Sequence, residues 1–318
     1  MHDRCVRDQW RATDIDWSRP PPRLPEVKER AVVQYFTDMA GIELLAGALF
    51  EVQRAHAERA GETTLAAIFA TFVVDERRHS DVARRLARHY DTRKDRVYFE
   101  SPALTVFRPH FLHVVRRTSP ELANAYITAG ELLLDIALLR SLDDYVADDT
   151  SHNAMELINR DESRHIAIDF FMTERYSSDA HQAAMRARPL PSPRVLVSGI
   201  RAVATMMWHA RPFLRDVFLR PMQRTDPAGK RTREAFKRIQ LMMRKPQVAR
   251  TPFGRFMTRT QDAFNHPVYG RALAPVLLRM LGAEPEVARI LYSDAELART
   301  VRMSFDELAE EALAAKTR

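Results

Sequence analysis

DESRH at residues 161–165 and DERRH at residues 75–79 decide how this chain is read. Each string is rich in ionisable side chains, yet each sits in apolar surroundings: IFATFVV leads into DERRH, and IAIDFF follows DESRH. On a helix, residues three apart project from one face. Glu76 with His79, and Glu162 with His165, therefore form two Glu-x-x-His pairs on two separate helices. One such pair is a common accident of a charged surface. Two copies suggest a joint site in which each imidazole supplies a neutral nitrogen and each Glu an anionic oxygen to a metal.

Working outward, the apolar spacing predicts a helix over about 27–58, with Val32, Tyr35, Phe36, Met39, Ile42 and Leu45 inward. A second helix is expected over about 64–90 after a break at AGETT (60–64), followed by a loop containing Pro102 and Pro109 with short helical turns. Ser119-Pro120-Glu121 starts a third helix running to about 147. DDTSHN (148–153) reads as a turn, and a fourth helix runs to about 176. No useful length of strand-like alternation is present. Residues 1–26 read as an extended lead-in because of the prolines in SRPPPRLP (18–25). RARPLPSP (186–193) marks a Pro-containing linker, 177–193. Residues 194–318 read as a basic helical extension packed on the bundle, ending in an amphipathic tail near 294–315. His209 beside Trp208 reads as a core histidine.

Two more carboxylates stand in apolar helical sequence: Glu43 in AGIELLAGALF and Glu131 in AGELLLDIALL. Either one alone would cost several kcal/mol to bury unless paired, protonated or bound to a cation. Their shared Ala-Gly-x-Glu or Ala-Gly-Glu context looks like a duplicated helical hairpin. Glu43 lies 18 residues before Gly61 and Glu76 lies 15 after it, arms of roughly 27 and 22 Å, so the two stand near one level. The second hairpin fits less well. With its turn at Thr150, Glu131 and Glu162 differ in level by about 10 Å, and Asp135, one turn on, becomes a reserve ligand. The Glu-to-Glu separations of 33 and 31 residues favour Glu131. Asp75 and Asp161 each precede a His by four residues and are candidates to accept a ring N–H, from their own His or the one opposite. Arg78 and Arg164 are candidates to neutralise the carboxylates around the ligands.

The series Glu43, Glu76-x-x-His79, Glu131, Glu162-x-x-His165 resembles the ferritin-like di-iron carboxylate superfamily. Its doubled Asp-Glu-x-Arg-His form is similar to the oxygen-activating branch with acyl-carrier-protein desaturases and p-aminobenzoate N-oxygenase. The resemblance covers about residues 27–176. It implies an all-α fold, a ferritin-like four-helix bundle with a di-metal centre plus additional C-terminal helices. It also implies two iron ions, with manganese–iron as a variant, and an external electron donor such as a reductase or ferredoxin. The implied activity is that of a di-iron, dioxygen-dependent monooxygenase acting on a small or acyl-type organic substrate by hydroxylation, desaturation or N-oxygenation. The N-oxygenase group carries an extra His four residues before the last Glu. Ile158 stands there in this chain, with Asn159 beside it, which points away from N-oxygenation. A ferritin-like storage protein and a non-catalytic binding protein on the same scaffold are the alternatives.

Size and charge are compatible with this. The chain has 318 residues, 46% of them hydrophobic, and only 9 Gly, enough for a substantial helical core. Its one cysteine, Cys5, excludes an intramolecular disulfide. No apolar run reaches the ~20 residues needed to span a bilayer, and the first residues lack a signal-peptide stretch. The expectation is a cytoplasmic protein, as monomer or homodimer. Residues 1–180 hold 24 Lys+Arg against 30 Asp+Glu, net −6, and residues 181–318 hold 25 against 12, net +13. Such a half is either a solvated Arg-rich face or an attractor for an acidic substrate, an acyl carrier, a nucleic acid or a membrane surface. No nucleic-acid-binding motif accompanies it.

Overall fold

The computed structural model describes residues 1–94, 97–117, 119–189, 191–268, 270–272, 274–276 and 288–316, and among these all regular structure is helical. Helix α1 (His2–Arg7) and a 3₁₀ turn (Ala12–Asp14) open the chain. Then comes α2 (Glu26–Arg59), which is buried along most of its length and on more than one face. An apolar helix of that kind has to be surrounded, and α2 is: it packs along α3 (Thr63–Tyr90) and against α4 (Pro102–Arg117) and α5 (Pro120–Leu133). The α2–α3 hairpin turns at Gly61, whose φ of 74° is left-handed, where a side chain would be strained.

The second hairpin is built differently from the expectation. Helix α5 runs on through a π turn (Leu134–Leu139) into α6 (Arg140–Val146) as one rod. The rod stops at Ala147, which is left-handed at φ 56°. Asp148 caps α7 (Asp149–Ser177) by accepting the Thr150 amide at 3.1 Å. DDTSHN is therefore the start of α7 and not a turn. With the reversal at Ala147, Glu131 lies 16 residues before it and Glu162 lies 15 after. The level mismatch that made Asp135 a reserve ligand disappears. The four rods α2, α3, α7 and α5–α6 close a ring of mutual contacts.

Three further differences matter to the centre of this ring. The lead-in is extended only in its second part; α1, Trp10, Ala12 and Ile15 pack onto the bundle and belong to its core. The Pro102–Pro109 stretch is a full helix. Leu104, Phe107, Phe111, Val114 and Val115 keep the helical period and bury one face, which outweighs the backbone bond lost at Pro109. Gly41 lets α4 approach α2, since a Cβ there would meet Leu104 at 2.7 Å.

The rod Pro120–Val146 is long and apolar enough to cross a membrane by length and composition alone. However, 72% of its most apolar window is buried inside the fold.

Beyond α8 (Asp179–Arg186), the basic half wraps the ring without forming a separate core. It comprises α9 (Pro193–Phe213) continuing by a π turn into α10 (Arg220–Thr225), then α11 (Lys230–Arg244), α12 (Pro246–Ala249), α13 (Pro252–Asn265), α14 (Asp294–Arg302) and α15 (Phe305–Lys316). Helix α9 lies on α4, α11 on the α5 rod and α15 on α7. His209 is half-buried and stacks on His110 at 4.4 Å, so it is not a core residue. Residues 277–287 of the expected extension lie outside the described residues.

Candidate metal centre

Glu43 on α2, Glu76 and His79 on α3, Glu131 on α5, and Glu162 and His165 on α7 converge at the middle of the ring, all of them buried. Their donor atoms fall into two groups, each within 4.8 Å: Glu43, Glu76, His79 and Glu162, and Glu76, Glu131, Glu162 and His165. The groups share Glu76 and Glu162, one carboxylate from each hairpin. His79 Nδ1 stands 3.0 Å from Glu162 Oε1 and 3.8 Å from Glu76 Oε2. His165 Nδ1 stands 2.7 Å from Glu162 Oε2 and 3.2 Å from Glu76 Oε1. The pseudo-duplication visible in sequence is thus a near-symmetry in space. Gly47 contributes to it: a Cβ there would lie 3.1 Å from the Glu76 Cβ.

Each imidazole turns its other nitrogen to an aspartate of the opposite hairpin. His79 Nε2 lies 3.1 Å from Asp161 Oδ2, and His165 Nε2 lies 3.4 Å from Asp75 Oδ2. Arg78 donates to Asp161 at 2.7 Å and also to Asp75, and Arg164 donates to Asp161 at 2.6 Å. All four flanking residues read from the sequence are therefore in place. The lead-in adds two that were missed. Trp10 Nε1 donates to Asp161 at 2.7 Å and stacks near His79, and Gln9 Nε2 donates to Asp75 at 2.9 Å. No spacing rule connects residue 10 to residue 161, so only the fold reveals these contacts.

Asp135 has other company. It pairs with the buried Lys316 of α15 at 3.0 Å, and Lys316 also donates to the Asn159 carbonyl at 3.2 Å. Burial raises the Asp135 carboxyl to about 7 even though Lys316 pulls it down. Asp169 is the carboxylate that sequence reading overlooked. It lies one turn beyond His165 on α7, fully buried, and neither oxygen has a hydrogen-bond partner. Its setting, IAIDFF, carried the same signal as Glu43: an acid in apolar helical sequence.

Burial and the crowding of like groups set the electrostatics of the cluster. Burial, then repulsion from neighbouring glutamates, pushes the Glu43 and Glu131 carboxyls well above the usual range. For the two imidazoles, burial opposes the charge, but the facing carboxylates overcome it and hold both well above their ordinary value. Burial likewise opposes ionisation of Glu162, and the imidazoles outweigh it. Arg78 and Arg164 are already engaged by Asp75 and Asp161. Five buried acidic side chains, Glu43, Glu76, Glu131, Glu162 and Asp169, thus surround two imidazoles, more acids than the two rings can pair with. Apart from the imidazole nitrogens that face Glu76 and Glu162, both oxygens of Glu43, Glu76 and Glu162, and Oε2 of Glu131, have no hydrogen-bond partner. Buried polar atoms are ordinarily satisfied, so orphans gathered on these side chains make the cluster a candidate cation site. Comparison with protein-family models, curated proteins and solved structures finds no match for the chain.

Proposed function

We propose that this protein is a di-iron, dioxygen-dependent oxidoreductase of ferritin-like architecture, and that Glu43, Glu76, His79, Glu131, Glu162 and His165 hold its two metal ions. The observation that carries the reading is the pair of donor groups sharing Glu76 and Glu162. Two carboxylates common to two sites are what holding two cations close together requires, and the orphaned oxygens supply the negative charge. Oxygen and imidazole donors suit iron and accept manganese as well.

When bound, the two ions would supply the electrons and Lewis acidity for dioxygen chemistry. The protein's part is more specific. Asp161 and Asp75 hold the Nε2–H of His79 and His165, which leaves each Nδ1 lone pair directed at the cluster. Against burial, the imidazoles keep the aspartates they face ionised, and Arg78 and Arg164 pair with both aspartates and fix them in place. Phe72, its ring centroid 4.1 Å from that of His165, and Phe50 at 5.0 Å keep water from one side of the centre. A catalytic cycle would draw electrons from an external donor and deliver oxidising equivalents to an organic substrate.

The test is to load the metal-free protein with Fe(II) without oxygen, then add oxygen, a reductant and candidate organic substrates. Oxygen uptake coupled stoichiometrically to an organic product is expected. Uptake that ends in a ferric mineral without product would favour a storage protein, and failure to bind iron would leave a scaffold with a binding role.

A further inference from the structure

A cavity of about 320 Å³ opens where α5 and α7 meet α11, α12 and α13, lined by Leu122, Met242, Met243, Val248 and Phe253. Its size and apolar walls are those of a small-molecule site. Several polar side chains interrupt the walls, and two of them, Glu121 and Asn124, carry a buried oxygen with no hydrogen-bond partner. Glu121, which pairs through Oε1 with His181, contributes a carboxylate. Asn124 is buried, and its Oδ1 has no hydrogen-bond partner.

The orientation of that amide is determined by its neighbours. Asn124 Nδ2 donates to Thr173 Oγ1 at 2.9 Å and to the Asp169 backbone carbonyl at 3.2 Å. A carbonyl only accepts, so the amide nitrogen must face it, and the oxygen is left as a free acceptor. An orphaned acceptor beside a carboxylate is matched by a ligand that donates a hydrogen bond, and is opposed by a ligand anion. Asn124 also begins a buried polar ladder. On α5, Asn124, Thr128 and Glu131 follow one another at helical spacing, and on α7 so do Thr173, Asp169 and His165. Asn124 reaches across from one rail to the other. The ladder runs from the cavity to the metal centre over seven residues, roughly 10 Å.

We propose that this cavity takes up the organic substrate, and that the substrate is a small, mainly apolar molecule whose hydrogen-bond-donating end, a hydroxyl or an ammonium and not a carboxylate, is held by Asn124. Naming the ligand a substrate rests on the di-metal reading; the cavity's preference does not. The basic surface of the second half does not govern this choice, because the unpartnered buried polar atoms on the cavity walls are both acceptors, an amide oxygen and a carboxylate oxygen.

The experiment measures binding of 2-phenylethanol, 2-phenylethylamine and phenylacetate by calorimetry, to both the iron-loaded and the metal-free full chain. The alcohol and the amine are expected to bind, and phenylacetate about ten-fold more weakly, since its carboxylate would meet unpaired acceptors with no hydrogen to donate. Asn124→Leu should remove that preference while keeping the metal content of the parent. Met242→Trp, which fills the cavity from its apolar wall, should abolish binding of all three and covers the case in which the Asn124 variant fails to fold. Equal binding of phenylacetate, no binding of any probe, or unaltered binding in both variants overturns the proposal. Metal content of the same samples separates the two readings. Probe binding without metal uptake removes the di-metal reading alone, and two metals without probe binding removes the cavity alone.

Discussion

His79 Nε2 lies 3.1 Å from Asp161 Oδ2, although the residues are 82 positions apart and stand on different hairpins. His165 and Asp75 mirror this at 3.4 Å. Each hairpin therefore supplies an imidazole oriented by the other hairpin's aspartate, and neither half-site is complete by itself. Asp161→Asn keeps the shape but removes the anion that His79, Arg78, Arg164 and Trp10 all use. Metal affinity should fall about 10–100-fold, as for other outer partners of a ligating His. Titration of Fe(II) or Mn(II) into wild type and variant measures this, with helicity followed by circular dichroism. Equal affinities would remove Asp161 from the site.

Trp10 stacks 6.3 Å from His79, centroid to centroid, and donates to Asp161. With Trp17 and Trp208 replaced by Phe, the emission left is that of Trp10. Filling the centre with Fe(II) is expected to quench it in step with metal uptake. Emission that stays constant through full loading would place the lead-in elsewhere. Trp10→Phe keeps the ring and loses the N–H, so it should weaken metal binding less than Asp161→Asn does.

Gly47→Ala sets two effects against each other. Alanine is worth about 1 kcal/mol over glycine within a helix. Its Cβ would stand 3.1 Å from the Glu76 Cβ, and overpacking costs about 1–3 kcal/mol. The melting temperature should change little or fall, and metal affinity should drop because Glu76 is displaced. A variant that melts higher and binds metal as well as wild type would show that Glu76 has room to move.

Glu296 caps α14, accepting from the Ser293 amide at 2.8 Å, and pairs with Lys237 of α11 at 3.1 Å. The Ser293 backbone bond, against slight burial and with help from Lys237, lowers its carboxyl to about 2. A depressed carboxyl contributes stability that is complete above the unfolded value near 4.5 and is lost as pH falls toward 2. Amide exchange in α14 should therefore accelerate between those limits, and Glu296→Gln should flatten that acid response. An unchanged profile in the variant would show that the group does not hold α14.

Much of the centre was legible because an ionisable residue in apolar helical sequence needs a reason. That signal located Glu43, Glu131 and both Glu-x-x-His pairs, and it would have located Asp169 had it been applied there. The hairpin levels were misjudged because DDTSHN looks like a turn by composition, whereas Asp148 is a cap and Ala147 makes the reversal. The α4 helix was missed because Pro109 carried more weight than the period of Leu104, Phe107 and Phe111. Trp10 on Asp161 and Lys316 on Asp135 are contacts between segments far apart in the chain. Neither has a local pattern, so neither could be read before the helices were assembled.

The most direct measurement is metal content per folded chain after anaerobic Fe(II) loading and desalting, with Glu76→Ala and His165→Ala beside the wild type. Two ions per chain are expected in the wild type, and the loss of at least one in each variant with helicity retained. A wild type holding well under one ion, or variants that keep both, would contradict a centre built on the shared carboxylates.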